Sequence, residues 1–313
     1  MAGIIAVVGP TASGKSEIAV RLALTCGGEI VSCDSVQIYR GLDIGSAKPS
    51  LAIREVVPHH CLDRIDPPES VSAGLYKRMA EEAICDILRR GKIPIVVGGT
   101  GLYFNALYYG LFEGPVATPE QRKKYAFLSL EELLQRVAEV DPEWFASNET
   151  KDRRRLTRVL EVYDIAREKL STLQKKNKRL DVTWYIVAPQ WPREVLYQRI
   201  DRRAIHMVQE GLIEETEKLC KQWGKDAFAL QSLGYKQVLE YLEGCYDKQT
   251  MIETIQRETR RYAKRQLTWF RKNKDIHWFY PSEEEKVTHN ILSWLETQSF
   301  SEEVGFVEGT PWP

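Results

Sequence analysis

A run of residues near the N-terminus, Gly9-Pro10-Thr11-Ala12-Ser13-Gly14-Lys15-Ser16, constrains this chain more than any other stretch. It matches GxxxxGK[ST] at every fixed position. It also lies between an apolar, β-branched run (residues 3–9, GIIAVVG) and a segment with Ile18, Ala19, Leu22 and Ala23 at helical spacing. That order predicts a strand that turns sharply and opens into a helix. Glycines let the backbone N–H groups converge on an anion, and the helix N-terminus adds partial positive charge. Lys15 brings a full charge to terminal phosphate oxygens, and the Ser16 hydroxyl is placed to ligate Mg²⁺. The loop therefore predicts a diphosphate or polyphosphate ligand, held by Gly9, Thr11, Ala12, Ser13, Gly14, Lys15 and Ser16.

Strand and helix signals continue to alternate. Residues 29–35 (EIVSCDS) read as a second strand and 73–90 as an amphipathic helix stopped by Gly91. Residues 93–97 (IPIVV) read as a third strand running into Gly98-Gly99-Thr100-Gly101. The pattern predicts the α/β class, a P-loop NTPase-like parallel sheet covered by helices. Ligands of such sheets bind at the carboxyl ends of the strands, where Gly9, Asp34 and Thr100 fall. From 116 to 181 the texture changes: helical periodicity at 130–140 and 154–169, a polar, basic stretch at 174–179, and no strand pattern. An inserted all-helical domain is expected there. Strand character returns at 182–188 (VTWYIVA), followed by helices near 192–209, 212–222, 235–242 and 250–273 and a short strand at 276–280. The expected division is a catalytic core of 1–115 and 182–280, a helical insertion of 116–181, and a tail of 281–313 consisting of a loose helix and a frayed end. In the helix at 250–273, Ile255, Tyr262 and Trp269 recur every seven residues and are expected to face the core.

Charge narrows the classes of partner. The 313 residues carry 44 Lys+Arg and 44 Asp+Glu, which excludes a globally basic nucleic-acid binder but not a locally basic face. Two such faces exist: eleven Lys and Arg against four Asp and Glu over 151–179, and eight against one over 257–274. Both would attract phosphates in a salt-dependent manner. No apolar run approaches the ~20 residues that cross a bilayer, and no basic segment precedes Ile4, so neither membrane nor secretion is expected. The six cysteines form no CxxC pair and read as reduced cytosolic thiols. His59-His60 beside Cys61 lacks a second ligand pair at zinc spacing.

The loop alone does not say whether phosphate is transferred. Phosphoryl-transfer enzymes with this loop place an aspartate after a later strand to organise Mg²⁺. Here 93–97 ends in Gly-Gly-Thr, and the acid is Asp34, after the second strand. A carboxylate there suits a general base toward an incoming nucleophile. Capping a turn through Ser35, or holding Mg²⁺ through water, are the other readings.

GPTASGKS, DSVQIYRGLDIGSAKP (34–49), GGTGLY (98–103), RRLTRVLEVY (154–163) and SLGYKQ (232–237) together resemble the tRNA dimethylallyltransferases. This bacterial family prenylates the adenosine at tRNA position 37, next to the anticodon. The resemblance runs from residue 3 to about residue 280. The eukaryotic relatives' C-terminal zinc finger has no counterpart, since no Cys/His set follows Cys245. It implies dimethylallyl diphosphate as donor, Mg²⁺ as cofactor, the tRNA anticodon stem-loop as partner, and an adenosine extruded into a channel. On this likeness Lys15 and Arg203 (in IDRRAIHM) neutralise the diphosphate, and Asp34 accepts the proton of the exocyclic amine. Thr100 orients the diphosphate or the amine, or caps the helix after the third strand. Asp34, Ser35, Val36, Gln37 and Thr100 surround the extruded base. Arg122, Arg154, Arg155, Leu156, Thr157 and Arg158 contact tRNA, and the expected enzyme is a monomer. Competing classes fit less well. Prenylation of a free adenylate needs no basic helical surface, and a small-molecule kinase using ATP lacks the second carboxylate. A non-catalytic RNA-binding switch has no base-specificity motif.

Overall fold

The computed structural model describes residues 2–312 apart from 113, 116, 149, 299–303 and 311, with all side chains in that span except those of Pro119 and Arg122. The chain opens with β1 (Gly3–Val8), α1 (Lys15–Cys26), β2 (Glu29–Ser32), α2 (Leu51–Val56), β3 (His59–His60), α3 (Ala73–Arg89), β4 (Pro94–Gly98) and α4 (Gly101–Tyr108). There follow α5 (Pro119–Lys123), α6 (Leu130–Val140), α7 (Pro142–Ser147), α8 (Arg153–Ala166), α9 (Leu170–Gln174) and β5 (Lys178–Leu180). The last part holds β6 (Thr183–Pro189), α10 (Arg193–Gln209), α11 (Leu212–Trp223), α12 (Tyr235–Leu242), α13 (Lys248–Phe270), β7 (Ile276–Phe279), α14 (Glu284–Glu296) and β8 (Phe306–Glu308). Two compact units result: Met1–Ala106 with Asp181–Gly305, and Leu107–Leu180 with Phe306–Trp312.

The first unit is built on a six-stranded sheet in the order β3-β2-β4-β1-β6-β7, every neighbouring pair parallel. β1 is buried along its whole length, as a parallel strand covered on both faces must be. On one face Ile5, Val7, Ile30, Ile95 and Val97 pack under Ile18, Ala19, Leu22 and Ala23 of α1 and Ile291 of α14. Ile4, Ala6 and Val8 alternate to the other face and are equally buried. There Phe104 of α4 meets Trp184 of β6 and Phe270 of α13, with ring centroids 6.1 and 6.0 Å apart. Because β2, β4 and β1 are neighbours, the loops after them open side by side at one carboxyl edge.

The second unit has its own core of Leu133, Val137, Trp144, Leu156, Val159, Leu160, Val162 and Leu170. Asp141, 0% exposed, caps α7 through Trp144 N–H and accepts from both the N–H and the hydroxyl of Ser171. This polar node ties α7 to α9.

Four details depart from the sequence reading. The second unit begins at Leu107, not at 116, since Leu111 already bridges antiparallel to Lys178. The insertion is helical but not wholly so, because β5 pairs antiparallel with β8, Lys178 opposite Glu308. The described residues of 281–313 thus hold the expected helix, but their end is paired and not frayed. Their last strand completes that ribbon, while α14 buries Ile291 in the main core with Val287 and Trp294 beside it. The spacing of Val287, Ile291, Trp294 and Leu295 is amphipathic, hidden behind the acidic residues that open the helix. Finally, β3 is a two-residue edge strand on β2, too short to leave a periodicity signal.

Candidate active site

The loop between β1 and α1 is braced from outside by its carbonyls. Arg199 Nε of α10 donates to Ala12 O at 2.7 Å and Trp191 Nε1 to Ser13 O at 2.9 Å. The Arg199 guanidinium lies 4.7 Å from the centre of the Trp191 ring. With those carbonyls tied outward, the N–H groups of Ala12, Ser13 and Gly14 find no acceptor among the described residues. The Ser13 hydroxyl, also without a partner, belongs to a residue only 1% exposed. Buried donors without partners mark a place where a ligand supplies the acceptors. Ala12 adopts φ 61°, a left-handed conformation costing about 1–3 kcal/mol that tends to persist where function requires it. Thr11 departs from the expected set, since its N–H is committed to Gln266 Oε1 at 2.9 Å.

A cleft of about 410 Å³ lies against this loop, lined by Ala12, Gly14, Lys15, Ser16 and Glu17 and by Arg199, Arg202, Arg203 and His206 of α10. Lys15 Nζ folds over its own loop to donate to Pro10 O at 3.1 Å. Burial, together with the positive charge of Arg203, brings the Lys15 pKa down to about 8. Burial lowers Arg203 as well, against the charges of Asp34 and Glu17. Lys15 and Arg203 are crowded enough that burial outweighs the nearby charges of Asp34 and Glu17, an arrangement that favours an incoming anion. The sequence reading found Arg203 but missed Arg199 and Arg202. The signal was present, because positions 199, 202, 203 and 206 fall on one helical face.

Asp34 follows β2. Its Oδ1 accepts from Val36 N–H at 2.8 Å and Gln37 N–H at 3.3 Å, so the turn-capping reading is realised. Oδ2 has no hydrogen bond among the described residues, so capping leaves the second oxygen available as a base. Asp34 also exerts its charge on Lys15 and Arg203, which places it beside the phosphate cradle. Thr100 does cap α4, but with its backbone carbonyl, which accepts from Phe104 N–H at 3.0 Å. Its hydroxyl instead accepts from Ser35 N–H at 3.0 Å and donates to Ser35 Oγ at 3.3 Å.

Two residues of α13 complete this arrangement, and sequence reasoning did not assign them to the site. Tyr262 lies by the Thr100 side chain, and burial with the nearby charge of Asp34 pushes its pKa up to about 12. Gln266, one turn later, accepts from Thr11 N–H and donates to Gly99 O at 2.8 Å, tying the phosphate loop to the loop after β4. A Cβ on Gly99 would stand 2.3 Å from Gln266 Nε2, so a side chain there would displace that amide from its hydrogen bonds. Tyr262 is thus a site residue, not a core one. Trp269 is 39% exposed and lies over the Gly101 backbone, so of the seven-residue series only Ile255 is core.

The remaining expected contacts divide. Ser35 and Val36 are half-buried beside Asp34. Gln37 does not present a free amide: Nε2 donates to Ser46 O and Ala47 O, and Oε1 accepts from Ser32 Oγ at 3.1 Å. In the second unit Arg154 is exposed on the first turn of α8, with Thr157 half-buried one turn on. Arg155 donates to Asn148 Oδ1 and lies over Trp144. Arg158 donates to Pro115 O at 2.7 Å, so part of its work is holding the unit together. Leu156, expected among the tRNA contacts, is instead 0% exposed within the helical core, where the period of α8 turns it inward. Arg122 belongs to α5, but its side chain lies outside the described residues. On α13, Arg260 is paired with Asp201, and Arg257 and Arg261 with Glu258, so much of that basic face is internally compensated.

Among the described residues no group of His, Cys, Asp or Glu forms a metal cage. The exposed Ser16 hydroxyl at the start of α1 and the cleft beside it fit a Mg²⁺ that arrives on a diphosphate and keeps most of its waters.

Fold and site together define a class: an α/β phosphate-loop enzyme in which a strand-end carboxylate stands beside the cradle in place of a metal-organising aspartate. Comparison with known proteins makes this specific. Residues 37–273 match the IPP transferase family model, and residues 2–57 match that of isopentenyl transferase. A tRNA dimethylallyltransferase of Citrifermentans bemidjiense is 45% identical over 93% of this chain and 97% of its own length. One from Acetivibrio thermocellus is 37% identical over 95% and 98%. The solved tRNA isopentenylpyrophosphate transferase of Bacillus halodurans superposes with TM-score 0.71 at 36% identity, covering 95% of this chain and 97% of that one. A eukaryotic dimethylallyltransferase acting on tRNA superposes at TM-score 0.79 and 26% identity, over 97% and 82%. The chain belongs to this IPP transferase family of tRNA dimethylallyltransferases.

Proposed function

We propose that the protein transfers the dimethylallyl group of dimethylallyl diphosphate to the exocyclic amine of the adenosine at tRNA position 37, releasing diphosphate. The observation that carries this reading is the juxtaposition of unfilled phosphate donors with a carboxylate whose second oxygen is uncommitted. The free N–H groups of Ala12 to Gly14, the Ser13 hydroxyl, Lys15 and Arg203 receive the diphosphate, and Arg199 and Arg202 add charge from α10. As the allylic carbon–oxygen bond breaks, its electron pair goes to the diphosphate, and these fixed donors stabilise the growing charge. Ser16 would hold a Mg²⁺ that comes with the diphosphate, and the ion would supply further neutralisation of that charge. The adenine amine forms the new carbon–nitrogen bond and gives its proton to Asp34 Oδ2. An amine delocalised into its ring is a poor nucleophile, so proton removal at this point lowers the barrier. The Thr100–Ser35 hydrogen bonds, with Tyr262 beside them, fix the carboxylate's surroundings. Leaving the stack costs the base a few kcal/mol, less in a loop than in a duplex.

The exposed Arg154 and its basic neighbours suit the phosphates of an anticodon stem-loop. Cradle, carboxylate and cations all come from one chain, which suits a monomer. Six free thiols suit the reducing cytosol, and no described helix is long and apolar enough to cross a membrane. The test is incubation with labelled dimethylallyl diphosphate, unmodified tRNA, free adenylate and ATP. Label in tRNA is expected. Label in adenylate alone, or ATP turnover without transfer, would overturn the proposal.

A further inference from the structure

The loop after the Asp34 turn is gripped from behind by a carboxylate that the reaction does not use. Three successive N–H groups, those of Asp43, Ile44 and Gly45, converge on Glu215 in the first turn of α11, at 2.8 to 3.2 Å. Tyr235, which opens α12 within the SLGYKQ motif, donates its hydroxyl to Glu215 Oε1 at 2.6 Å. Burial and the Glu215 charge both raise the Tyr235 pKa, so it remains a phenol and a donor. Its ring lies so close to the loop that a Cβ on Gly45 would stand 2.5 Å away. On the far side, the same loop's Ser46 and Ala47 carbonyls accept from Gln37 Nε2 at 3.2 and 3.3 Å. Gln37 in turn gives its N–H to Asp34 Oδ1.

These contacts form one relay: Glu215 and Tyr235, the loop, the Gln37 amide, the Asp34 turn. A helix-borne carboxylate that takes three backbone amides defines the loop's position in a way a packed side chain would not. The titratable and charged groups near that loop are Asp43, Lys48, Asp63 and Tyr235. Lys48 fixes the loop's exit through Tyr39 O, Asp43 and Asp63 at 2.8, 2.7 and 2.6 Å.

We infer that Glu215 is a positioning residue of the acceptor site, which sets the Asp34 carboxylate through residues 43–47 and Gln37. The inference rests on the reading that Asp34 receives the acceptor's proton. It separates acceptor alignment from donor binding, because none of these residues lines the phosphate cleft.

The test is a cycle of Glu215→Gln, Gln37→Ala and the double variant, read by single-turnover transfer to tRNA. A glutamine keeps the shape but replaces one accepting oxygen with an amide N–H₂ donor that faces the loop's N–H groups. Glu215→Gln should slow transfer by about 10- to 100-fold, as small misplacements of reacting groups do, while affinity for a non-hydrolysable donor analogue stays unchanged. In the Gln37→Ala background the same change should cost little more, since the relay is already cut. Hydrogen exchange at the amides of residues 43–45 should quicken in Glu215→Gln whether or not transfer is measured. That readout keeps this inference separable from the functional one, which fails on the wild-type protein itself if no label reaches tRNA. Equal losses in both backgrounds, a parallel loss of donor affinity, or wild-type turnover in Glu215→Gln would each overturn it. If Glu215→Gln does not fold, Tyr235→Phe, which keeps the ring against Gly45, runs the same cycle.

Discussion

At the scale of single residues, the chemistry rests on how Asp34 divides its two oxygens. Asp34→Ala should cut turnover by ~10²–10⁴-fold, the usual loss of a general base, with donor affinity kept; single-turnover kinetics and donor titration check both. Lys15 makes a second prediction through its pKa of about 8. A bound diphosphate favours the ammonium and raises that pKa in the complex. Binding therefore takes up a proton above pH about 8, and donor affinity should fall there by up to about tenfold per pH unit. Calorimetry in buffers of different ionisation heat measures the proton directly; binding without uptake would contradict it. Lys15, Asp34 and Thr100 were legible in the sequence because they fall in the phosphate-loop motif and at predicted strand ends, whereas Arg203 came from the family resemblance alone. Tyr262 and Gln266 were not, because nothing local reveals that a helix more than 150 residues on returns to Gly99 and Thr100. The same holds for the commitment of the Gln37 amide to Ser32, Ser46 and Ala47.

At the scale of elements, the sheet is stitched at its edge by a charged pair. Glu29 on β2 is bound by Arg90, just after α3, at 2.7 Å and by His60 of β3 at 2.8 Å. Hydrogen bonding from Arg90 outweighs burial and holds the Glu29 pKa at about 2, against an ordinary 4.5. A depressed carboxylate contributes stability above its unfolded pKa and loses it as pH falls through the folded one. Glu29→Gln should thus cost about 1–3 kcal/mol at neutral pH. The gap from wild type should close as pH drops from 4.5 toward 2, as thermal unfolding would show. α14 makes another prediction: Ile291→Ala should cost about 2–5 kcal/mol, as buried truncations do, where a frayed tail would lose nothing. The long helices and buried strands were readable from periodicity. β3, β5 and β8 were not, because two- and three-residue strands exist only through their partners.

At the scale of the whole molecule, zero net charge conceals a division of labour between units. Arg154→Ala should weaken tRNA binding and reduce its salt dependence by about one counterion, leaving the melting temperature unchanged. Arg158→Ala should lower both, since that side chain also holds Pro115 O. The most direct test of the central claim is a crystal structure with a non-reactive donor analogue and an anticodon stem-loop. Diphosphate should lie on the N–H groups of Ala12 to Gly14 between Lys15 and Arg203, with the adenine amine about 3 Å from Asp34 Oδ2. Diphosphate bound elsewhere, or an adenine amine facing some other group, would contradict it.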